Sequence, residues 1–91
     1  MLFRSAKQDW DVLLAGNGLV EACYLKERTL DRKTKELLFI LSLVVMRASK
    51  GHIQSHIKVG LDLGLTSQEI LEAIEISLPE AGVVVFQHGF E

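Results

Sequence analysis

The stretch "RKTKELLFILSLVVMRASKGHIQSHIKVGLDLGLTSQE", residues 32–69, decides the fold. Its first part is an apolar run from Leu37 to Met46, broken only by Ser42. That run is about half of the roughly 20 residues that a membrane span needs, so it reads as a buried core helix and not as a membrane segment. Asp31 is placed to cap it, because a carboxylate there accepts from the free backbone amides of the first turn. The helix "RKTKELLFILSLVVMRA" is then apolar all round between Leu37 and Met46, which puts it at the centre of a bundle.

The second part, about Lys50 to Leu63, is amphipathic. Ile53, Ile57 and Leu61 recur at four-residue spacing with His52, His56 and Gly60 beside them, while Lys50, Gln54, Lys58 and Asp62 take the other face. Both histidines are therefore expected to point toward the core or a crevice. Gly64 can end this helix in a left-handed turn. "TSQE" opens the next, with Thr66 as N-cap and Glu69 reaching back to it, and Ile70, Ala73, Ile74 and Ser77 are expected to face inward with Glu69, Glu72 and Glu75 outward.

On the N-terminal side, Ser5 and Gln8 form a capping box for a first helix carrying Trp10, Leu13 and Leu14, with Gly16 as its stop. Asn17 or Gly18 restarts the chain into a short second helix with Leu19, Val20, Cys23 and Tyr24 on its apolar face, fraying in "LKER". On the C-terminal side, Val83 to Phe86 has the β-branched character of a strand, but nothing else in the chain offers a partner strand. A terminal helix beginning near Gly82 is expected instead. The fold class is all-α, a small bundle of five to six helices forming one domain over residues 1–91.

The totals bound the function. Ninety-one residues leave no room for a second core, so a site must be compact or shared between subunits. Hydrophobic residues make up 48% and the mean hydropathy is +0.24, high for a chain that buries only about two thirds of its unfolded surface. Surplus apolar surface points to a partner, and a homo-oligomer is expected. Net charge is −2 with a pI near 5.9 and no basic cluster, which argues against nucleic acid as a partner. The opening "MLFRSAKQDW" lacks an apolar signal region, and the single Cys23 has no internal partner for a disulfide. A cytoplasmic location fits both.

His52 and His56 are the strongest chemical feature. Residues at i and i+4 on a helix lie about 5 to 6 Å apart, close enough for two imidazoles to meet one substrate group or one metal ion. The pair is open to three readings: two packing histidines, a catalytic or substrate-binding pair, or half of a metal site, for which His88 and Glu36 are the candidate third ligands. Glu36 is the last charge before the apolar run, either at the mouth of the core or as a solvated first-turn carboxylate favoured by the helix dipole. Arg47 closes the run about three turns later, either as a carboxylate binder or as a cation neutralising a helix C-terminus. His88 in "FQHGF" reads as a surface or packing residue, with substrate binding as its functional alternative, and Cys23 as a core filler.

In order along the chain, "LDRKTKELLFILSLVV", "HIKVGLDLGLTSQEILEAI" and "AGVVVFQHG" resemble the carboxymuconolactone decarboxylase and alkylhydroperoxidase-D-like family over about Leu30 to Gly89. The resemblance implies an all-helical fold packed as trimers or hexamers. Its peroxidase branch uses a Cys-x-x-Cys pair followed four residues later by a His. Counting back from His56 puts Ser49 and His52 at those cysteines; counting forward from Glu36 puts Ala48 and Gly51 there. Both thiols are absent either way, and with them the peroxide nucleophile and its resolving partner.

The decarboxylase branch also lacks the cysteines and keeps a His at the position of His56. The resemblance thus implies a lyase or isomerase acting on a small cyclic or unsaturated carboxylate without cofactor or metal. Catalysis falls to His56, His52 and Glu36, with His56 as general acid/base, and substrate binding to Arg47 and His88, His52 also helping to hold the carboxylate. A redox relative without its thiols and a non-catalytic oligomeric ligand-binding module are the alternatives.

Overall fold

The computed structural model describes residues 6–89, and of residues 6–8 and 85 only the backbone. The Ser5–Gln8 capping box lies outside the described residues and side chains. The chain divides into two compact units, one ending at Arg32 and one beginning at Lys33. Among the described residues all regular structure is helical, and no helix is long and apolar enough to cross a membrane.

In the first unit, α1 runs Ala6–Val20 without the expected stop at Gly16. Glycine raises the cost of a helical position by about 1 kcal/mol relative to alanine but ends a helix only where the chain turns left-handed, and positive φ is found at neither Gly16 nor Gly18. The chain continues into a single π-helical turn, Glu21–Leu25, closed by the Lys26 amide donating to the Glu21 carbonyl at 2.9 Å. The expected separate second helix is this turn. The Arg32 guanidinium stacks over the Tyr24 ring at 4.0 Å, a cation–π contact that ties the end of the unit to the turn. Trp10, Leu13, Leu14 and Leu19 are exposed. Cys23 is exposed as well, so it is not a core filler.

The second unit holds the core. Helix α2 spans Arg32–Val45, directly after Asp31, and buries Glu36, Ile40, Leu43 and Val44. These positions form one stripe, because residues three and four apart share a helix face. Leu38 on the opposite face is 50% exposed, so α2 is covered on one side and not all round. It ends three residues short of the expected Ala48, in a Schellman motif. The Ala48 amide donates to the Leu43 carbonyl and the Arg47 amide to the Val44 carbonyl, with Arg47 at φ 58°.

Helix α3, Lys50–Asp62, is capped by Ser49, whose hydroxyl accepts from the His52 amide at 3.2 Å. It ends in a second Schellman motif with Gly64 at φ 98°, the Leu65 amide donating to Gly60 and the Gly64 amide to Leu61. The Thr66–Glu69 capping box forms in both directions and opens α4, Ser67–Glu75. Ile70 and Ile74 are buried and Glu69, Glu72 and Glu75 exposed, as the periodicity requires. After Ile76 the short α5, Ser77–Ala81, carries Pro79 in its first turn, where the missing amide proton breaks no helical bond. The buried Ser77 hydroxyl donates to the Ile74 carbonyl at 2.6 Å. Gly82 at φ 95° then admits α6, Val83–His88, a helix in spite of its β-branched residues.

Ile40, Leu43, Val44, Ile53, Leu65, Ile70 and Ile74 make one apolar cluster. The C-terminal end closes on it: a Cβ at Gly89 would lie 3.0 Å from Ile74 and 3.1 Å from Val44, so only glycine allows this approach.

Candidate functional site

Glu36 lies on the buried stripe of α2 one turn before Ile40, and its side chain is 0% exposed. A carboxylate in such a place needs a partner, and α3 supplies one. His56 Nδ1 and Glu36 Oε2 are 2.8 Å apart. A carboxylate can only accept, so Nδ1 is the donor of this bond. The His56 side chain keeps 17% of its surface accessible. Phe39, one turn after Glu36 on α2, stacks on the imidazole with ring centres 4.3 Å apart and planes 13° from parallel. The ring is thus held through one edge and one face.

His52 stands one turn earlier on α3. Its ring centre is 5.2 Å from that of His56 and tilted by 53°. The residue is exposed, contrary to the expectation that both histidines face inward. It occupies the first turn of α3, just after the Ser49 cap, while His56 lies a turn further in, where α2 presents Glu36 and Phe39.

Gly60 follows His56 by one turn and is buried. A Cβ there would lie 3.2 Å from Leu65, 3.3 Å from Ile70 and 3.6 Å from Glu36 Cγ. The space that the glycine leaves is therefore filled by the chain's own side chains, including the stem of the carboxylate, and not by an open approach for a ligand.

Arg47 was expected three turns along the same helix face as Glu36. Instead it sits beyond the end of α2, exposed and in the left-handed region. His88 Nε2 donates to the Ala48 carbonyl at 2.6 Å, tying α6 to the turn between α2 and α3. Of the five residues singled out in the sequence, the structure joins Glu36, His56 and His52 into one constellation. Phe39 escaped the sequence reading, although its position three residues after Glu36 was a usable signal.

The geometry suits general acid/base work, in which a carboxylate holds an imidazole in one orientation. Among the described residues no three of His, Cys, Asp and Glu converge on a metal position. An apolar groove of about 780 Å³ lies elsewhere, between Leu37, Leu38 and Leu41 of α2 and Ala73 and Ile76 toward the end of α4. A smaller cavity of about 180 Å³ lies beside Ile57, Ile70 and Ile74. Neither is lined by Glu36 or His56.

Residues 11–91 match the model of the carboxymuconolactone decarboxylase family. No curated protein and no solved structure matches the chain.

Proposed function

The chain belongs to the carboxymuconolactone decarboxylase family, and from that premise we propose that Glu36 and His56 form the general acid/base dyad of a lyase or isomerase acting on a small cyclic or unsaturated carboxylate. The observation that carries this reading is the 2.8 Å bond from His56 to a carboxylate that is 0% exposed. In a decarboxylation the bond from carbon to the departing carboxylate breaks, and its electron pair is taken up by a conjugated carbonyl as an enolate. His56 Nε2–H then protonates the carbanionic carbon, while Glu36 supports the imidazolium before transfer and the neutral ring after it. In an isomerisation the same nitrogen removes a proton from one carbon and returns it to another. His52, beside the ring, and Arg47 supply positive or donating groups for the substrate carboxylate.

The active form in this proposal is a homo-oligomer, a trimer or hexamer. Support comes from the half-exposed Leu38, from Met46 and from the apolar groove beside α2, which together leave more apolar surface than a lone small chain covers. Sedimentation at micromolar concentration tests this part, and a stable monomer of about 10 kDa contradicts it.

The catalytic part is tested by assaying loss of ultraviolet absorbance and release of carbon dioxide across a panel of small unsaturated lactone carboxylates. Turnover present in the parent chain and absent in His56→Gln is expected. Equal turnover in both refutes the dyad.

A further inference from the structure

We propose that Phe39 is a positioning residue for the Glu36–His56 dyad, its flat face holding the imidazole in the plane in which Nδ1 meets the carboxylate. The consequence for turnover rests on the catalytic reading above; the hold on the ring does not. The hydrogen bond alone fixes a distance, 2.8 Å between Nδ1 and Oε2, and leaves the plane of the ring loosely set. Such a bond prefers an angle above about 150° and weakens steeply only below about 120°, so it tolerates a swing of roughly 30°. The torsion between Cβ and the imidazole is no stricter, because a terminal sp3–sp2 torsion has broad wells.

A stacked ring removes that freedom. The Phe39 and His56 planes are 13° from parallel, with centres 4.3 Å apart. With the planes in van der Waals contact at about 3.5 Å, this separation corresponds to a lateral offset of about 2.5 Å, the offset-stacked arrangement that aromatic rings prefer. Any turn of the imidazole about Cβ–Cγ then drives one of its edges into the phenyl face. His52, the other ring beside His56, is tilted by 53° and offers no such plane. Glu36 and Phe39 are three residues apart on α2, so a single helical turn holds both the edge and the face of one ring. Phe39 is itself held, being half-buried and packed against the apolar cluster of the core. A reacting group misplaced by about 1 Å loses on the order of 100-fold in rate, so a ring left free to swing costs turnover more than binding.

The test compares Phe39→Leu, which keeps an apolar side chain against the core but has no flat face, with Phe39→Tyr, which keeps the face. Full-length chains labelled with 15N-histidine are read by NMR well below their melting temperatures. The parent is expected to show a His56 Nδ1–H resonance that exchanges slowly with water, since its acceptor is 0% exposed. In Phe39→Leu that resonance broadens or is lost to exchange while the backbone signals of α2 and α3 stay helical, and in Phe39→Tyr it is recovered. Across the unsaturated lactone carboxylates, Phe39→Leu lowers kcat by about 10- to 100-fold with KM within about 3-fold of the parent, and Phe39→Tyr recovers most of the loss. A parent without a protected Nδ1–H signal, a Phe39→Leu chain with the parent's resonance or its kcat, or equal losses in the leucine and tyrosine variants overturns the proposal. Undiminished turnover in His56→Gln sinks the dyad reading instead, and the resonance then decides by itself whether Phe39 holds the ring.

Discussion

Replacing either partner of the Glu36–His56 bond should destabilise the chain unequally, and replacing both should restore much of what is lost. In His56→Phe, the stacking surface against Phe39 is retained but the carboxylate loses the donor 2.8 Å away. Glu36 is 0% exposed, so water does not replace that donor. Breaking a buried pair in this way costs about 3–5 kcal/mol. In Glu36→Leu the imidazole loses the carboxylate, but at 17% exposure it reaches solvent. Its cost is smaller, about 1–2 kcal/mol for a partly satisfied donor. In the double variant both polar groups give way to apolar ones of similar size, a change that is often close to neutral.

At about 4–8 °C per kcal/mol for a domain of this size, His56→Phe melts roughly 12 °C or more below the parent, Glu36→Leu roughly 4–16 °C below, and the double variant within roughly 8 °C. The assay is urea unfolding at fixed protein concentration, with the slope checked for constancy and melting curves in parallel, because an oligomer's stability depends on concentration. The expected coupling energy is at least about 2 kcal/mol. Losses that add to within about 0.5 kcal/mol in the double variant would show that the two groups do not interact, and the dyad with them would be refuted.

His56→Gln keeps an amide donor for Glu36, so its melting temperature should stay within a few degrees of the parent while turnover or carboxylate binding disappears; unfolding with normal binding in the surviving fraction would make the residue structural. Arg47 occupies φ 58°, a conformation that costs an L-residue about 1–2 kcal/mol; after allowing for the greater chain entropy of glycine, Arg47→Gly should stabilise by about 0.5–1 kcal/mol in urea, and should weaken binding of a carboxylate ligand if the guanidinium contacts it. Thr66→Ala removes the hydroxyl that accepts from the Glu69 amide at 3.0 Å and should cost about 1 kcal/mol by the same measurement. Gly89→Ala places a methyl 3.0–3.1 Å from Ile74 and Val44 and should cost about 1–3 kcal/mol, visible as faster hydrogen exchange in α6. Dithiol-dependent peroxide consumption should be absent, since the only thiol is the exposed Cys23; turnover lost in Cys23→Ser would contradict this.

What could be read from the order of residues is what forms within a helical turn or two. The Thr66–Glu69 capping box, the left-handed Gly64, the start of α3 at Lys50 and the outward Glu69, Glu72 and Glu75 all follow from bonds or faces shared by residues three to five apart. The all-helical class follows too, because Val83 to Phe86 had no strand to pair with, and α6 bears that out. The glycine of α3 shows where such reading stops. Gly60 was legible as a missing side chain on the inward stripe, but the groups that fill the gap, Leu65, Ile70 and the Glu36 stem, come from other helices.

The end of α2 at Val45, with Arg47 in a left-handed turn, carried no sequence signal, because glycine is the residue usually found there. Tertiary packing separated two histidines that periodicity had made equivalent. Burial of a helical side chain depends on whether another helix lies over that turn, and α2 lies over His56 and leaves His52 exposed. The bond that joins Glu36 to His56 spans twenty residues and depends on how two helices are rotated against each other. Sequence periodicity assigns a residue to a face, and only the packing of the helices brings two faces to a hydrogen-bonding distance.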